Sequence, residues 1–210
     1  VVVVGAGGHA KVLVEALRSA NVPVLAVIDR DVTKHGMDVL RITVAGDDAW
    51  LHKTYPPGTV RLVNGVGSVR RPVLRRDVFV AFKARGYDFA SVIHPSATIA
   101  SDAIIGEGAQ IMAGAVIQPG VRIGSDALIN TRASIDHDCL IGDHSHVAPG
   151  ATLSGDVHLG TAVHVGTGAT LIQGVHVGDE ALIGAGATVF DNVAGGTFVC
   201  GPRAVERETK

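Results

Sequence analysis

The residues best suited to acid–base chemistry are His137 and its neighbour Asp138. An imidazole with a pKa of about 6.5 can accept a proton at neutral pH. An adjacent carboxylate fixes its tautomer and stabilises the imidazolium. A second group lies near the start of the chain. Gly5-Ala6-Gly7-Gly8-His9 sits between an apolar run and a helical pattern, and such a glycine loop ahead of a helix lets backbone N–H groups approach a phosphate. Gly5, Gly7 and Ala10 keep the spacing of a dinucleotide fingerprint. Asp29 and Gly65-Val66-Gly67 each follow a predicted strand, which would bring three loops to one sheet edge. Cys139 could act as a nucleophile, but it falls on a small, inward slot, so no acyl-enzyme is expected. His146 with His164, and His158 with His176, are each 18 residues apart. Each pair offers only two ligands with no carboxylate to complete a set, so no metal is expected.

The elements that must carry these residues differ between the two ends of the chain. From Ile93 an aliphatic residue recurs at every sixth position, through Ile99, Ile105 and onward to Val189, without a missed slot. Four residues after each marker stands a small residue or Val, such as Ala97, Ala115, Ala133 and Ala151. One residue after the marker is often Gly, as at Gly106, Gly124, Gly142 and Gly160. This period fits neither a helix nor an alternating strand; it is the hexapeptide repeat of a parallel β-helix. The glycines are expected to ease sharp turns between faces. Three hexads make a coil of about 18 residues, which stacks His137 between Pro119 and Gly155. The bare Gly155 is then expected to leave open room above the imidazole.

Residues 1–90 follow another rhythm. Val1–Val4, Val24–Ile28 and Val60–Val63 read as strands, and Ala10–Ala20 and 72–86 as helices, while 31–59 give little pattern. Alternating strand and helix implies a small Rossmann-like parallel α/β domain. A boundary at about residue 90 is expected, with 91–210 as the β-helix and a tail. The N-terminal run is too short for a signal peptide, and the absent Met suggests that the sequence starts a few residues late.

Composition agrees with this division. Apolar residues make up 47 % but aromatics only 4 %, so the core must be narrow and built of small aliphatics. A net charge of −2 gives no footing for nucleic acid or an anionic membrane. Two cysteines are too few for a disulfide framework, and no apolar run is long enough for a membrane span. A cytoplasmic location is expected.

Six motifs together carry a family resemblance: Gly5-Ala6-Gly7-Gly8-His9-Ala10, Asn64-Gly65-Val66-Gly67-Ser68, His94-Pro95-Ser96-Ala97, Ile129-Asn130-Thr131, Asp136-His137-Asp138-Cys139 and Leu153-Ser154-Gly155. Residues 1 to about 200 resemble the bacterial sialic-acid O-acetyltransferases and UDP-amino-sugar N-acetyltransferases, with GDP-perosamine N-acetyltransferase as a near relative. The resemblance implies a left-handed β-helix, a homotrimer and acetyl-CoA bound between neighbouring helices. It implies that His137 deprotonates the acceptor and that Asp138 is its acidic partner. It gives Asn130 to the sugar and His146 to the thioester carbonyl or the acceptor. It places Gly155, Thr167 and Ala185 along acetyl-CoA, and Gly7, Gly8, His9, Asp29, Arg30 and Gly65 around the nucleotide. Three departures stand out: Asp138 where many members have Glu, Arg30 where some have an acid, and an altered ending, Cys200-Gly201-Pro202-Arg203-Ala204. N-acetylation of a nucleotide-linked amino sugar is the leading expectation. O-acetylation of sialic acid or a related sugar is the alternative, and a non-enzymatic scaffold or a zinc enzyme on the same fold is weaker.

Overall fold

The computed structural model describes residues 1–68 and 73–201. It opens with a six-stranded sheet: β1 (Val2–Val4), β2 (Ala26–Ile28), β3 (Asp38–Val39), β4 (Ile42–Gly46), β5 (Arg61–Asn64) and β6 (Asp88–Phe89). The spatial order is β3-β4-β2-β1-β5-β6, and only the β3–β4 pair is antiparallel. Helices α1 (Gly8–Ser19), α2 (Asp48–Thr54) and α3 (Val73–Ala84) connect or flank the strands. In α1, Ala10, Leu13, Val14, Ala16 and Leu17 are buried, so helical spacing turns one face onto the sheet. The helix closes where Asn21 takes a φ of 55°.

The unpatterned stretch 31–59 turns out to be structured. It holds β3, β4, α2 and a short 3₁₀ turn at Val32–Lys34. The two-residue β3 carries no measurable period, and β4 is five residues long with only Val44 and Gly46 buried, so neither gives a strong alternating signal. Helix α2 is the exception with a local signal, because Asp47 accepts from the N–H groups of Ala49 and Trp50 at 3.0 Å and so caps the helix.

From Val92 the chain winds into a left-handed parallel β-helix of two-residue strands on three faces. The first face runs through Val92–Ile93, Gln110–Ile111, Leu128–Ile129, His146–Val147, His164–Val165, Leu182–Ile183 and Phe198–Val199. The second includes Val116–Ile117, Ser134–Ile135 and Thr152–Leu153, and the third Arg122–Ile123, Leu140–Ile141 and His158–Leu159. Coils pair in the expected register, as in Ile111↔Ile129 and Ile129↔Val147. The markers from Ile111 to Val189 form the axial core with the small column Ala109, Ala115, Ala127 and their successors. The first marker departs from the pattern: Ile93 is 41 % exposed, because it belongs to the lowest coil and no coil closes beneath it. The last coil is also irregular. Leu182 pairs with Phe198, a spacing of 16 where earlier coils use 18, as in His164↔Leu182.

The corner glycines need a different explanation from the expected one. At successive corners the residue with left-handed φ is three after the marker, for example Asp126 (54°), Arg132 (57°), Asp138 (61°), His144 (59°) and Gly150 (67°). The glycine one after the marker has ordinary φ. It is required because coils touch there: a β-carbon on Gly106 would stand 2.7 Å from the Gly124 carbonyl carbon and the Ser125 nitrogen.

Candidate functional site

Strand β1 lies between β2 and β5, the point at which strand order reverses and where open α/β sheets bind ligands. The loops leaving these strands meet there. Gly5 N–H donates to the Ile28 carbonyl and Gly65 N–H to the Val4 carbonyl, both at 2.7 Å. The sheet edge leaves no room for larger residues: a β-carbon on Gly65 would sit 2.8 Å from Val3 Cγ1 and 2.9 Å from the Gly5 carbonyl oxygen. Beside Gly7 and Gly8 there is open space, and α1 has no side-chain cap, so its first N–H groups face the loop side unclaimed by a side chain. Ala10, in the third fingerprint place, is fully buried.

These loops line a cavity of about 760 Å³ that continues onto the β-helix. Gly7, Gly8, His9, Asp29, Arg30 and Gly65 line one end and Asn130 and His146 the other. Lys34, Asp48 and Ser68 also line it. Neither Lys34 nor Asp48 belongs to a recognisable motif, so the sequence gives no signal for them.

The charged groups in the cavity are already engaged. Asp29 accepts from Ala6 N–H at 2.7 Å, from Lys34 Nζ at 2.9 Å and from Asp31 N–H at 2.9 Å. Partial burial raises its pKa, but these donors outweigh burial and hold the carboxyl below its usual range. Arg30 donates to Asp48 Oδ2 through Nη2 at 2.9 Å and Nε at 3.1 Å.

His9 and His146 are held neutral. His9 Nε2 lies 2.8 Å from Gln110 Oε1 and therefore donates to it. Burial, with the Arg75 guanidinium nearby, pushes His9 down to about 4. Asn130 Nδ2 donates to His146 Nε2 at 3.1 Å, so the proton sits on Nδ1 and is directed at Ser68 Oγ, 2.6 Å away. Burial, with His164 next in order, pushes His146 down to about 2. Burial thus favours the neutral imidazole, one nitrogen donating to Ser68 and the other accepting from Asn130. His164 packs edge-on at 4.9 Å.

His137 lies elsewhere, at the corner between the second and third faces, and does not line this cavity. Its Nδ1 is 2.8 Å from Asp138 Oδ2, which directs the Nδ1 proton at the carboxylate and leaves Nε2 as the acceptor. The hydrogen bond to Asp138, aided by the nearby Asp136 charge, raises the pKa above its ordinary value. The room expected above His137 is not open, because the imidazole itself packs against Gly155 Cα and fills it. Thr167 and Ala185 stack at the corner between the first and second faces. A single chain therefore unites the nucleotide-side residues with Asn130 and His146. It leaves His137, Asp138 and Gly155 at a second place, and Thr167 and Ala185 at a third.

Cys139 is buried, donates to the Ser154 carbonyl at 3.2 Å and is pushed up to about 11 by burial, as its inward slot predicts. His158 and His176 stack at 4.3 Å on the third face. No group of three or more His, Cys, Asp or Glu suited to a metal occurs among the described residues. Among them, too, no helix is long and apolar enough to cross a membrane. Of the altered ending, Pro202-Arg203-Ala204 lies outside the described residues.

Comparison with known proteins accords with this geometry. Residues 1–79 match the PglD N-terminal domain, and residues 102–137 and 120–155 match the bacterial transferase hexapeptide (six repeats). A curated relative, UDP-N-acetylbacillosamine N-acetyltransferase of Bacillus subtilis (strain 168), is 35 % identical over 123 residues, 54 % of this chain and 51 % of that protein. The match thus spans about half the length of that relative. PerB from Caulobacter crescentus, solved with CoA and GDP-perosamine, is 35 % identical with a TM-score of 0.87, covering 95 % of this chain and 93 % of that one. The acetyltransferase domain of PglB from Neisseria gonorrhoeae FA1090 is 34 % identical with a TM-score of 0.86, covering 95 % of each chain. The same domain has also been solved with acetyl coenzyme A. A two-part chain with this cavity and this likeness over nearly its whole length belongs to the family of hexapeptide-repeat acetyltransferases that includes PerB and the PglB acetyltransferase domain.

Proposed function

We propose that the protein is an acetyl-CoA-dependent N-acetyltransferase acting on the amino group of a nucleotide-linked amino sugar. The observation that carries this reading is the single cavity running from the glycine loops to Asn130 and His146. Its lining, glycine loops on the α/β unit and Asn130 with His146 on the β-helix, suits a ligand that carries both a nucleotide and a sugar. Residues 1–90 are the nucleotide-sugar-binding domain in this reading, and 91–210 the acetyltransferase domain.

His137 is the general base. Its Nε2 takes a proton from the amine as the nitrogen lone pair attacks the thioester carbonyl. The carbon–sulfur bond then breaks, and the proton is passed to the leaving CoA thiolate. Transfer is direct, since the buried Cys139 thiol is held far from its reactive form. His137 and the cavity occupy different sides of one chain, so a second copy must bring His137 to the substrate. A homotrimer does this. It also joins Gly155 of one corner to Thr167 and Ala185 of another along acetyl-CoA.

The test is acetyl-CoA turnover by thiol release with UDP-, GDP- and dTDP-linked amino sugars, and with sialic acid, for wild type and His137→Ala. Turnover with one amino sugar, reduced by about 10²–10⁴-fold in the variant, is expected. Turnover with sialic acid alone would move the protein to O-acetylation, and undiminished turnover in the variant would remove His137 from its role. A monomer by sedimentation would contradict the shared site.

A further inference from the structure

The α/β unit rests on the first face of the β-helix through a buried polar network. Its centre is Arg75 on α3, which is fully buried opposite the equally buried Asp126. Arg75 Nη2 lies 2.8 Å from Asp126 Oδ1, and Nε donates to the Asp126 carbonyl at 3.1 Å. Nη1 reaches the other way, donating to the carbonyls of Asn64 at 3.1 Å and Val66 at 3.0 Å. One guanidinium thus joins a corner of the β-helix to the loop that closes the cavity. Asn64 reinforces the bond, its Nδ2 donating to Asp126 Oδ1 at 3.0 Å and to the Arg75 carbonyl at 2.9 Å. Gln110 extends the network, donating to the Asn64 carbonyl at 2.8 Å while accepting from His9.

The structure assigns Arg75 and Asp126 as positioning residues for the nucleotide-sugar site, holding the 64–67 loop at a fixed place relative to Asn130 and His146. The inference rests on the proposed substrate class. A buried ion pair is weak as a source of stability, because desolvation offsets attraction, but its directed hydrogen bonds fix geometry. Arg75 donates to three carbonyls in two units of the protein and pairs with the Asp126 carboxylate besides, which an apolar contact could not do. Neither residue lines the cavity, so both act through the loop and not on the substrate.

The test compares wild type, Arg75→Met/Asp126→Asn and Arg75→Lys in the full chain. The double variant removes both charges, so no unpaired ion is buried, and Asn tolerates the left-handed φ of residue 126. Binding of UDP, GDP and dTDP is measured by calorimetry, and KM for the nucleotide sugar and for acetyl-CoA by turnover, alongside melting temperature. A lowered melting temperature is expected in the double variant, because Met leaves the Asp126 and Val66 carbonyls without the Arg75 donor; beyond that, nucleotide affinity should weaken and nucleotide-sugar KM rise by about tenfold, with KM for acetyl-CoA unchanged. Arg75→Lys, which keeps the charge but cannot span the loop and the carboxylate, should show a smaller change of the same kind. If the double variant does not fold, Arg75→Lys decides by the same readouts. Folded variants with wild-type nucleotide affinity and KM would overturn the inference, as would wild type binding none of the three nucleotides. Wild type that binds a nucleotide but transfers no acetyl group would sink the proposed activity alone, and the positioning role would then be judged on affinity.

Discussion

The His137 imidazole occupies the space that a side chain at Gly155 would need: a β-carbon there would stand 2.5 Å from both Cε1 and Nε2. Gly155 has ordinary φ, so alanine is acceptable to the backbone, and the exposed imidazole can swing away. Gly155→Ala should therefore fold normally and misplace the base. We expect kcat to fall by about 10²-fold with little change in melting temperature. A variant with wild-type kcat would show that the contact has no role in the reaction.

Asp138 should set the pH profile. Its hydrogen bond raises the His137 pKa, and a base works only when deprotonated, so kcat/KM should fall as pH drops through a value above 6.5. In Asp138→Asn the pKa falls back, and the acidic limb should move to lower pH. A limb that stays in place would assign the titration to another group. Comparing the two profiles over pH 5–9 decides the matter.

Acid should weaken the fold through His146 and His9. Both have folded-state pKa values below the ordinary 6.5, at about 2 and about 4. The unfolded chain therefore binds more protons below pH 6.5, and stability present above that pH is lost as pH falls. The loss runs towards pH 4 for His9 and further for His146. Each group contributes a slope on the order of 1.4 kcal/mol per pH unit within its window. The difference in melting temperature between pH 7 and pH 5 should shrink in His146→Gln. An unchanged difference would mean that His146 is protonated in the folded protein.

The two kinds of corner glycine should respond differently to alanine. In Gly106→Ala the new methyl meets backbone that cannot move aside, and a loss of about 3 kcal/mol is expected. In Gly150→Ala the methyl meets nothing within 4 Å, and only the φ of 67° opposes it, at about 1–2 kcal/mol. Denaturant midpoints of the two variants test this ordering, and equal losses would contradict it.

The sequence made the solenoid legible because its period is written in every coil, and the arithmetic that stacks His137 under Gly155 holds wherever coils repeat. That arithmetic could not show that the imidazole fills the space over Gly155, since side-chain direction at a corner is not periodic. It was silent on how the α/β unit docks. Arg75 looks like one more charge on a helix in sequence, and its partner Asp126 lies 51 residues away in a corner slot that Arg132, Asp138, His144 and Gly150 fill at the following corners, so nothing in the repeat marks it. Gln110 directly precedes the inward marker Ile111, so strand alternation would turn it outward, yet it is fully buried. Such pairings arise from contact between two units with unrelated periods, and no single period encodes them.

The shortened last described coil bears on where the solenoid is weakest. An inner coil is paired above and below, whereas a terminal one has a neighbour on one side only. Here the closing turn takes 16 residues, against 18 below it, and on the third face it is joined by a single bridge, Val177↔Val193, where the coil beneath pairs two residues. This end of the solenoid is thus held by fewer bonds than its middle, and unwinding should begin there.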